Sequence, residues 1–279
     1  MIFLALILAL LLAFAWDFGP ALHRDGWYLR WRSQLAGLGF GPVPLLLLSV
    51  LVPCAAVQLA LNALEPLLFG AAWIVAAAGL LLYAFGRSNV GAELEKYRSQ
   101  CRREDFEAAY LYGAEELRWF NGSGTSGARS PDEVHRAMQR GYLYQAQQRW
   151  FAVLFYFLLL GPVGALAYRL LQFAEQGKPS IALQLADWVP ARLLAASFTL
   201  TGNFVESADE LLAGLLGGKM EVQELLYSVA MAATGEDKRA VPESEFGIYA
   251  ARQNELFSAL VRRSSVAWVV VVSLGVLLV

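Results

Sequence analysis

The chain is nearly devoid of histidine and cysteine: His23 and His135 are its only imidazoles, Cys54 and Cys101 its only thiols. Two histidines so far apart exclude the zinc helix of H-E-x-x-H type, and the two cysteines make no metal-ligand spacing. Cys54 sits in an apolar run and Cys101 in a charged one, so no disulfide between them is expected. Charge is scarce as well. Asp, Glu, Lys and Arg make up 16% of the 279 residues, and the formal net charge is −2. Without a basic excess the chain lacks the electrostatic footprint of a nucleic-acid binder, so no nucleic-acid partner is expected. Nothing resembles a nucleophile–base pair, and the apolar segments carry no carboxylate cluster suited to Mg²⁺. There is no internal repeat and no pair of broken helices in matching halves, which argues against a transporter.

What fills the sequence instead is apolar surface: 57% of residues, with a mean hydropathy of +0.46. A soluble domain of this length exposes more charge, so the lipid bilayer is the expected partner. A hydrocarbon core of about 30 Å needs roughly 20 apolar residues per helix. Clear candidates are Pro42–Leu64, Leu67–Phe85 and Trp150–Phe173; weaker ones are Met1–Phe18, Ile181–Phe204 and Ser265–Val279. The first run has no positive n-region, and Asp17-Phe18-Gly19-Pro20 offers no small-residue cleavage site, so it reads as a retained span. The expectation is an all-α, polytopic membrane helical bundle of about six spans. Membrane parts 1–86, 150–204 and 265–279 then alternate with two helical segments, 87–149 and 205–264. Lys and Arg crowd into both segments and into Arg24–Arg32, while the alternate connections hold almost none. By the positive-inside rule those segments are cytoplasmic and both termini lie outside, as in a multi-pass protein of a bacterial inner membrane.

Local signals subdivide these regions. Trp27, Trp31, Leu35 and Leu38 recur at helical spacing opposite Arg30, Arg32, Ser33 and Gln34. An interfacial helix over 27–38 follows, lying either in the headgroup layer or on the protein's own helices. Gly91–Phe120 reads as helix, then a Gly/Ser linker spans Asn121–Arg129. Its Gly122-Ser-Gly124-Thr-Ser-Gly127 matches G-x-G-x-x-G only literally, because a helix rather than a strand precedes it and Ala128-Arg129 replaces the Lys-Ser/Thr of a P-loop. Ser130-Pro131-Asp132-Glu133 is a helix start, and helical character runs on to Gly161-Pro162. Glu206–Arg263 reads as two or three short helices broken at Gly217-Gly218 and within Gly235–Pro242.

Two places combine polar side chains with apolar faces. Val134, Met138, Gly141, Gln145, Gln148, Arg149 and Ala152 share one helix face at 100° per residue, so Gln145, Gln148 and Arg149 interrupt a packing face near the membrane surface. They call for interhelical hydrogen bonds and a snorkelling arginine, or for a binding pocket. In Asp187-Trp188-Val189-Pro190-Ala191-Arg192, Asp187 reads as an N-cap, with Pro190 in the first turn and Arg192 one turn inside. A charged residue on a span marks a site by default; Asp187 is a candidate counter-ion and Arg169 a candidate neighbour. Ala191, Ala195 and Thr199 add a small-residue face for close packing.

Gln148-Arg149-Trp150-Phe151, Gly161-Pro162-Val163-Gly164-Ala165, Tyr168-Arg169 and Asp187 through Leu193 together resemble the AmpE family. These are inner-membrane proteins associated with the AmpD amidase and with modulation of β-lactamase induction. The resemblance implies a signalling role tied to cell-wall recycling, antibiotic resistance as its setting, and no cofactor. The polar interruptions of those two faces make Gln145, Gln148, Arg149, Arg169, Asp187 and Arg192 the candidate ligand- or partner-binding residues. A membrane-protein partner, a homodimer or a small anionic metabolite fits that role. AmpE is in turn similar to the CobD/CbiB adenosylcobinamide-phosphate synthases through the Gly-rich turn, Tyr168 and Pro190-Ala191-Arg192. That likeness implies an alternative, an amide-forming membrane enzyme using ATP and Mg²⁺. The enzyme family's acids are replaced here by Gln145-Ala146-Gln147-Gln148, Leu170-Leu171-Gln172-Phe173 and Leu183-Gln184. A third expectation is a scaffold receiving a single-span partner along the small-residue face.

Overall fold

Leucine, alanine and valine dominate the long segments, and helix is the only regular structure among the described residues of this computed structural model. Those residues are 1–15, 25–85, 90–117, 130–174, 181–216, 221–235 and 245–277. The Gly/Ser linker, the Gly217-Gly218 break, the residues 236–242 and the stretch Asp17–Pro20 lie outside them. The chain separates into two compact units, 1–87 with 149–186 and 88–148 with 187–279.

The first unit contains helices α1 (Ile2–Ala15), α2 (Gly26–Ala36), α3 (Pro42–Leu64) and α4 (Ala71–Ala84). After α4 the chain leaves for the second unit and returns in α8 (Ala152–Ala174). Helix α4 packs on α1 and α8, and α3 on α8. Tyr28, Cys54, Leu166, Leu170 and Ala174 form the buried cluster that joins α2, α3 and α8. The opposite face of α3 exposes Val43, Leu47, Leu51 and Leu59, and only 11% of its most apolar window is buried. Such a surface is stable against hydrocarbon and costly against water. Helix α2 turns Tyr28 and Leu35 inward rather than the whole Trp27–Leu38 stripe; Trp27 and Leu38 stay exposed. The Trp27 indole donates to the Tyr83 hydroxyl at 3.2 Å, so this helix rests on the protein's own helices.

The second unit begins with α5 (Val90–Arg102) and α6 (Phe106–Leu111), where one helix over 91–120 was expected. The break comes from Glu104, in the left-handed region at φ 60°, and from Asp105, whose carboxylate accepts the Ala108 amide at 3.0 Å. Then comes α7 (Pro131–Ala146), which starts as the sequence requires: the Ser130 hydroxyl accepts the Glu133 amide, with Pro131 in the first turn. Helix α9 (Ile181–Thr201) leads into α10 (Phe204–Leu216), α11 (Val222–Thr234) and α12 (Phe246–Leu277). Helix α7 packs on α11 and α12, α5 on α12, and α10 on α11. The last span is not the short helix expected from Ser265. Helix α12 starts at Phe246, so a polar first half runs without interruption into the valine-rich second half.

Helices α7 and α8 belong to one 44-residue helix, Pro131–Ala174, joined by a π-helical turn at Gln147–Phe151. Gly161-Pro162 kinks it without ending it. Gly161 takes φ 74°, ψ −165°, a conformation open in practice only to glycine. Among the described residues, four helices are long and apolar enough to cross a membrane: Pro42–Leu64, Leu67–Ala84, the one ending at Ala174, and Phe246–Leu274. Helix α1 is shorter, and α9 is long but carries Asp187 and Arg192.

Candidate functional site

Asp187, the one carboxylate among the sequence-derived candidates, is 1% exposed. It is not an N-cap. Helix α9 begins six residues earlier at Ile181, so Asp187 and Pro190 both lie in its interior. A proline there has no N–H for the carbonyl four residues back. That carbonyl belongs to Ala186, and the Tyr156 hydroxyl donates to it at 2.9 Å. A side chain on α8 thus satisfies a backbone group that the proline leaves unbonded, which lets the helix continue through Pro190.

The Asp187 carboxylate is met by the end of α7. The Tyr144 hydroxyl donates to Oδ2 at 2.8 Å, the Gln148 amide to Oδ2 at 3.0 Å, and the Gln147 amide to Oδ1 at 3.3 Å. Positions 144, 147 and 148 are related by i, i+3 and i+4, so they share a face just where the π-helical turn begins. Gln145 is one step off that face, half-buried, and makes no hydrogen bond to Asp187. The expected pairing of Gln148 with the packing face is therefore present, whereas Tyr144 and Gln147 are partners that the apolar wheel passed over. Their signal was polarity at helical spacing rather than the apolar stripe. Gln147 is fully buried, and its side-chain Oε1 has no hydrogen-bond partner among the described residues.

Arg192 lies in the next turns of α9 and forms no ion pair with Asp187. Its Nη1 donates to the Trp188 carbonyl at 3.2 Å and its guanidinium stacks over the Trp188 ring at 3.8 Å. The residue is 6% exposed, and Nε and Nη2 are buried with no acceptor among the described residues. Arg149 is half-buried in the π-helical turn. Arg169 donates to Gln172 at 2.7 Å and stacks on Phe173 at 4.4 Å, two partners on its own helix. Ala191, Ala195 and Thr199 are all buried, so the small-residue face is taken up by the protein's own packing and offers no open surface to a partner helix.

The ATP-dependent alternative calls for an Mg²⁺ site. Mg²⁺ requires oxygen ligands with lone pairs to give, usually including one or two carboxylates. Both Asp187 oxygens already accept from a phenol and two amides, and no group of three or more His, Cys, Asp or Glu gathers among the described residues. A single carboxylate that already accepts three hydrogen bonds is a poor donor set for Mg²⁺. No family model, curated protein or solved structure matches the chain. What the fold and site define is a class: an all-helical membrane protein with a buried polar seam on α9.

Proposed function

We propose that this chain is a multi-pass protein of a bacterial inner membrane that acts by binding rather than by making bonds. It is a regulatory protein of AmpE type, working in signalling tied to cell-wall recycling and β-lactamase induction. The segments 87–149 and 205–264 face the cytoplasm in this reading.

One observation carries the binding role: Arg192, nearly fully enclosed, keeps two guanidinium nitrogens without an acceptor among the described residues. A guanidinium stays charged at any cellular pH, and each unmet donor in a dry site costs on the order of 1–3 kcal/mol. The state that relieves this cost is one in which an acceptor has entered. The planar fork of arginine suits a carboxylate or phosphate bidentately, so the ligand carries an anionic group. That group belongs either to a small metabolite or to an acidic side chain of a membrane partner.

The test is purification of the full chain from native membranes in mild detergent, then mass spectrometry of everything retained, for the wild type and Arg192→Gln. An anionic metabolite or a membrane protein held by the wild type and lost from the variant is the expected result, and its identity tells the two sources apart. Identical retention by both proteins overturns the reading, as does ATP turnover by the purified chain.

A further inference from the structure

Neither Asp187 nor Arg192 lines a half-open cavity of about 980 Å³ in the second unit, between α6, α7, α10, α11 and α12. That volume is at the upper end of sites that hold small organic ligands. Three features of its lining restrict what it can take.

The floor is polar, and its buried imidazole is held on both ring nitrogens. The Tyr97 hydroxyl donates to His135 Nδ1 at 2.6 Å, His135 Nε2–H donates to Gln253 Oε1 at 2.5 Å, and Gln253 Nε2 donates to the Tyr249 hydroxyl at 2.7 Å. This tautomer makes both short contacts of the imidazole, to Tyr97 and Gln253, donor–acceptor pairs, and leaves the Gln139 amide nitrogen at 3.5 Å from Nε2 without an acceptor there. The floor therefore presents a neutral imidazole and asks for no charge. One wall is aromatic: Phe106 and Phe246 lie 5.4 Å apart, and Phe246 and Tyr249 6.0 Å apart. Those rings are half-buried and lack a layer of side chains on the cavity side.

The charges decide the sign. Arg136 is paired with Asp132 one turn back, and Arg140 Nη2 binds Glu224 at 2.6 Å while its guanidinium covers the Tyr227 ring. Both cations of the lining thus have carboxylate partners. Glu104 and Glu210 also line the cavity, and neither forms an ion pair among the described residues. Arg140 Nε is buried without an acceptor among the described residues, but the lining carries the carboxylates of Glu104, Asp132, Glu210 and Glu224 against the guanidinium groups of Arg136 and Arg140. An entering anion meets that negative excess, whereas an entering cation finds the carboxylates of Glu104 and Glu210 and exposed π faces.

We propose that this cavity binds an organic cation with an aromatic or apolar body, its ammonium or guanidinium group taken by Glu104 and Glu210 and its body by Phe106, Phe246 and Tyr249. The site is separate from the Arg192 seam in residues and opposite to it in ligand charge, so either can fail without the other.

The full chain in phosphatidylcholine nanodiscs is titrated into dansylcadaverine, with dansylglycine as the anion bearing the same fluorophore, and anisotropy is read. Saturable binding of the cation and no saturable binding of the anion are expected. Glu210→Gln weakens the cation by about tenfold, the loss of one charge-assisted contact. Ala232→Phe, which adds a ring to the lining, abolishes binding. Thermal unfolding shows whether each variant keeps its fold, and only variants that melt like the wild type are compared. Equal affinity for the two dyes, or cation affinity unmoved by Glu210→Gln, overturns the proposal.

Discussion

If the Tyr156 hydroxyl is what lets α9 continue through Pro190, its worth must depend on the proline. Tyr156→Phe removes a 2.9 Å bond to the Ala186 carbonyl. A typical hydrogen bond contributes about 1 kcal/mol net, and an abandoned carbonyl adds a penalty of about 1 kcal/mol or more, so the expected cost is about 2 kcal/mol. Pro190→Ala supplies the missing backbone N–H, which reaches the same carbonyl by ordinary helical geometry. In that background Tyr156→Phe leaves no group unmet and costs about 0.5 kcal/mol. The coupling in the double-mutant cycle is then about 1.5 kcal/mol, well above the additivity error of about 0.3–0.5 kcal/mol. Reversible unfolding in mixed micelles, followed by tryptophan fluorescence, measures all four corners. Hydrogen exchange at the newly introduced amide of the proline-free variant checks that it is protected. Equal cost of Tyr156→Phe in both backgrounds would refute the argument, because the hydroxyl would then be acting elsewhere.

Gly161→Ala should cost roughly 1–3 kcal/mol, since the kink of α8 holds this residue at φ 74° and ψ −165°; an unfolding midpoint equal to wild type would show that the kink is not needed. Gly247→Ala drives a methyl into the Cys101 carbonyl oxygen, where α12 crosses α5. A loss of about 1–3 kcal/mol is expected from that overpacking, and a neutral result would mean that the two helices separate freely. The third prediction concerns pH. His135 lies in the charged helix α7, ahead of the apolar span, and burial lowers its pKa from 6.5 to about 4. On acidification the unfolded chain takes up this proton first. The full contribution is therefore present above pH 6.5 and is lost between pH 6.5 and 4, by roughly 3 kcal/mol in all. His135→Gln should flatten that part of the pH–stability curve; parallel curves for the two proteins would count against it.

The helical class, the apolar spans and the start of α7 were legible in the residues alone, because each depends on neighbours within a turn or on composition over about 20 residues. Ser130 reaches the Glu133 amide whatever the rest of the chain does. The long segments could likewise be assigned to lipid from their hydropathy, since exposed leucines and valines on α3 and α12 have no other stable surroundings.

Other readings failed where a partner distant in sequence decided the outcome. Proline and a preceding aspartate signal a helix start, so Asp187 read as a cap; Tyr156, thirty residues earlier than Ala186, satisfies the carbonyl and keeps the helix running. The polar face at the end of α7 was visible as a disturbance of the apolar wheel. Which of its members meet Asp187 was set by the π-helical turn and by the position of α9, and those selected Tyr144 and Gln147 over Gln145. The cavity beside His135 had no sequence signal at all. Its lining comes from five helices and the Glu104 corner, each contributing one or a few side chains with no common period. Sequence by itself determined the solvent each segment requires and the places where helices begin, which are properties of local chain chemistry. Tertiary structure alone decided which buried polar atoms are satisfied and which, as at Arg192, are left open, because that depends on groups brought together from separate helices.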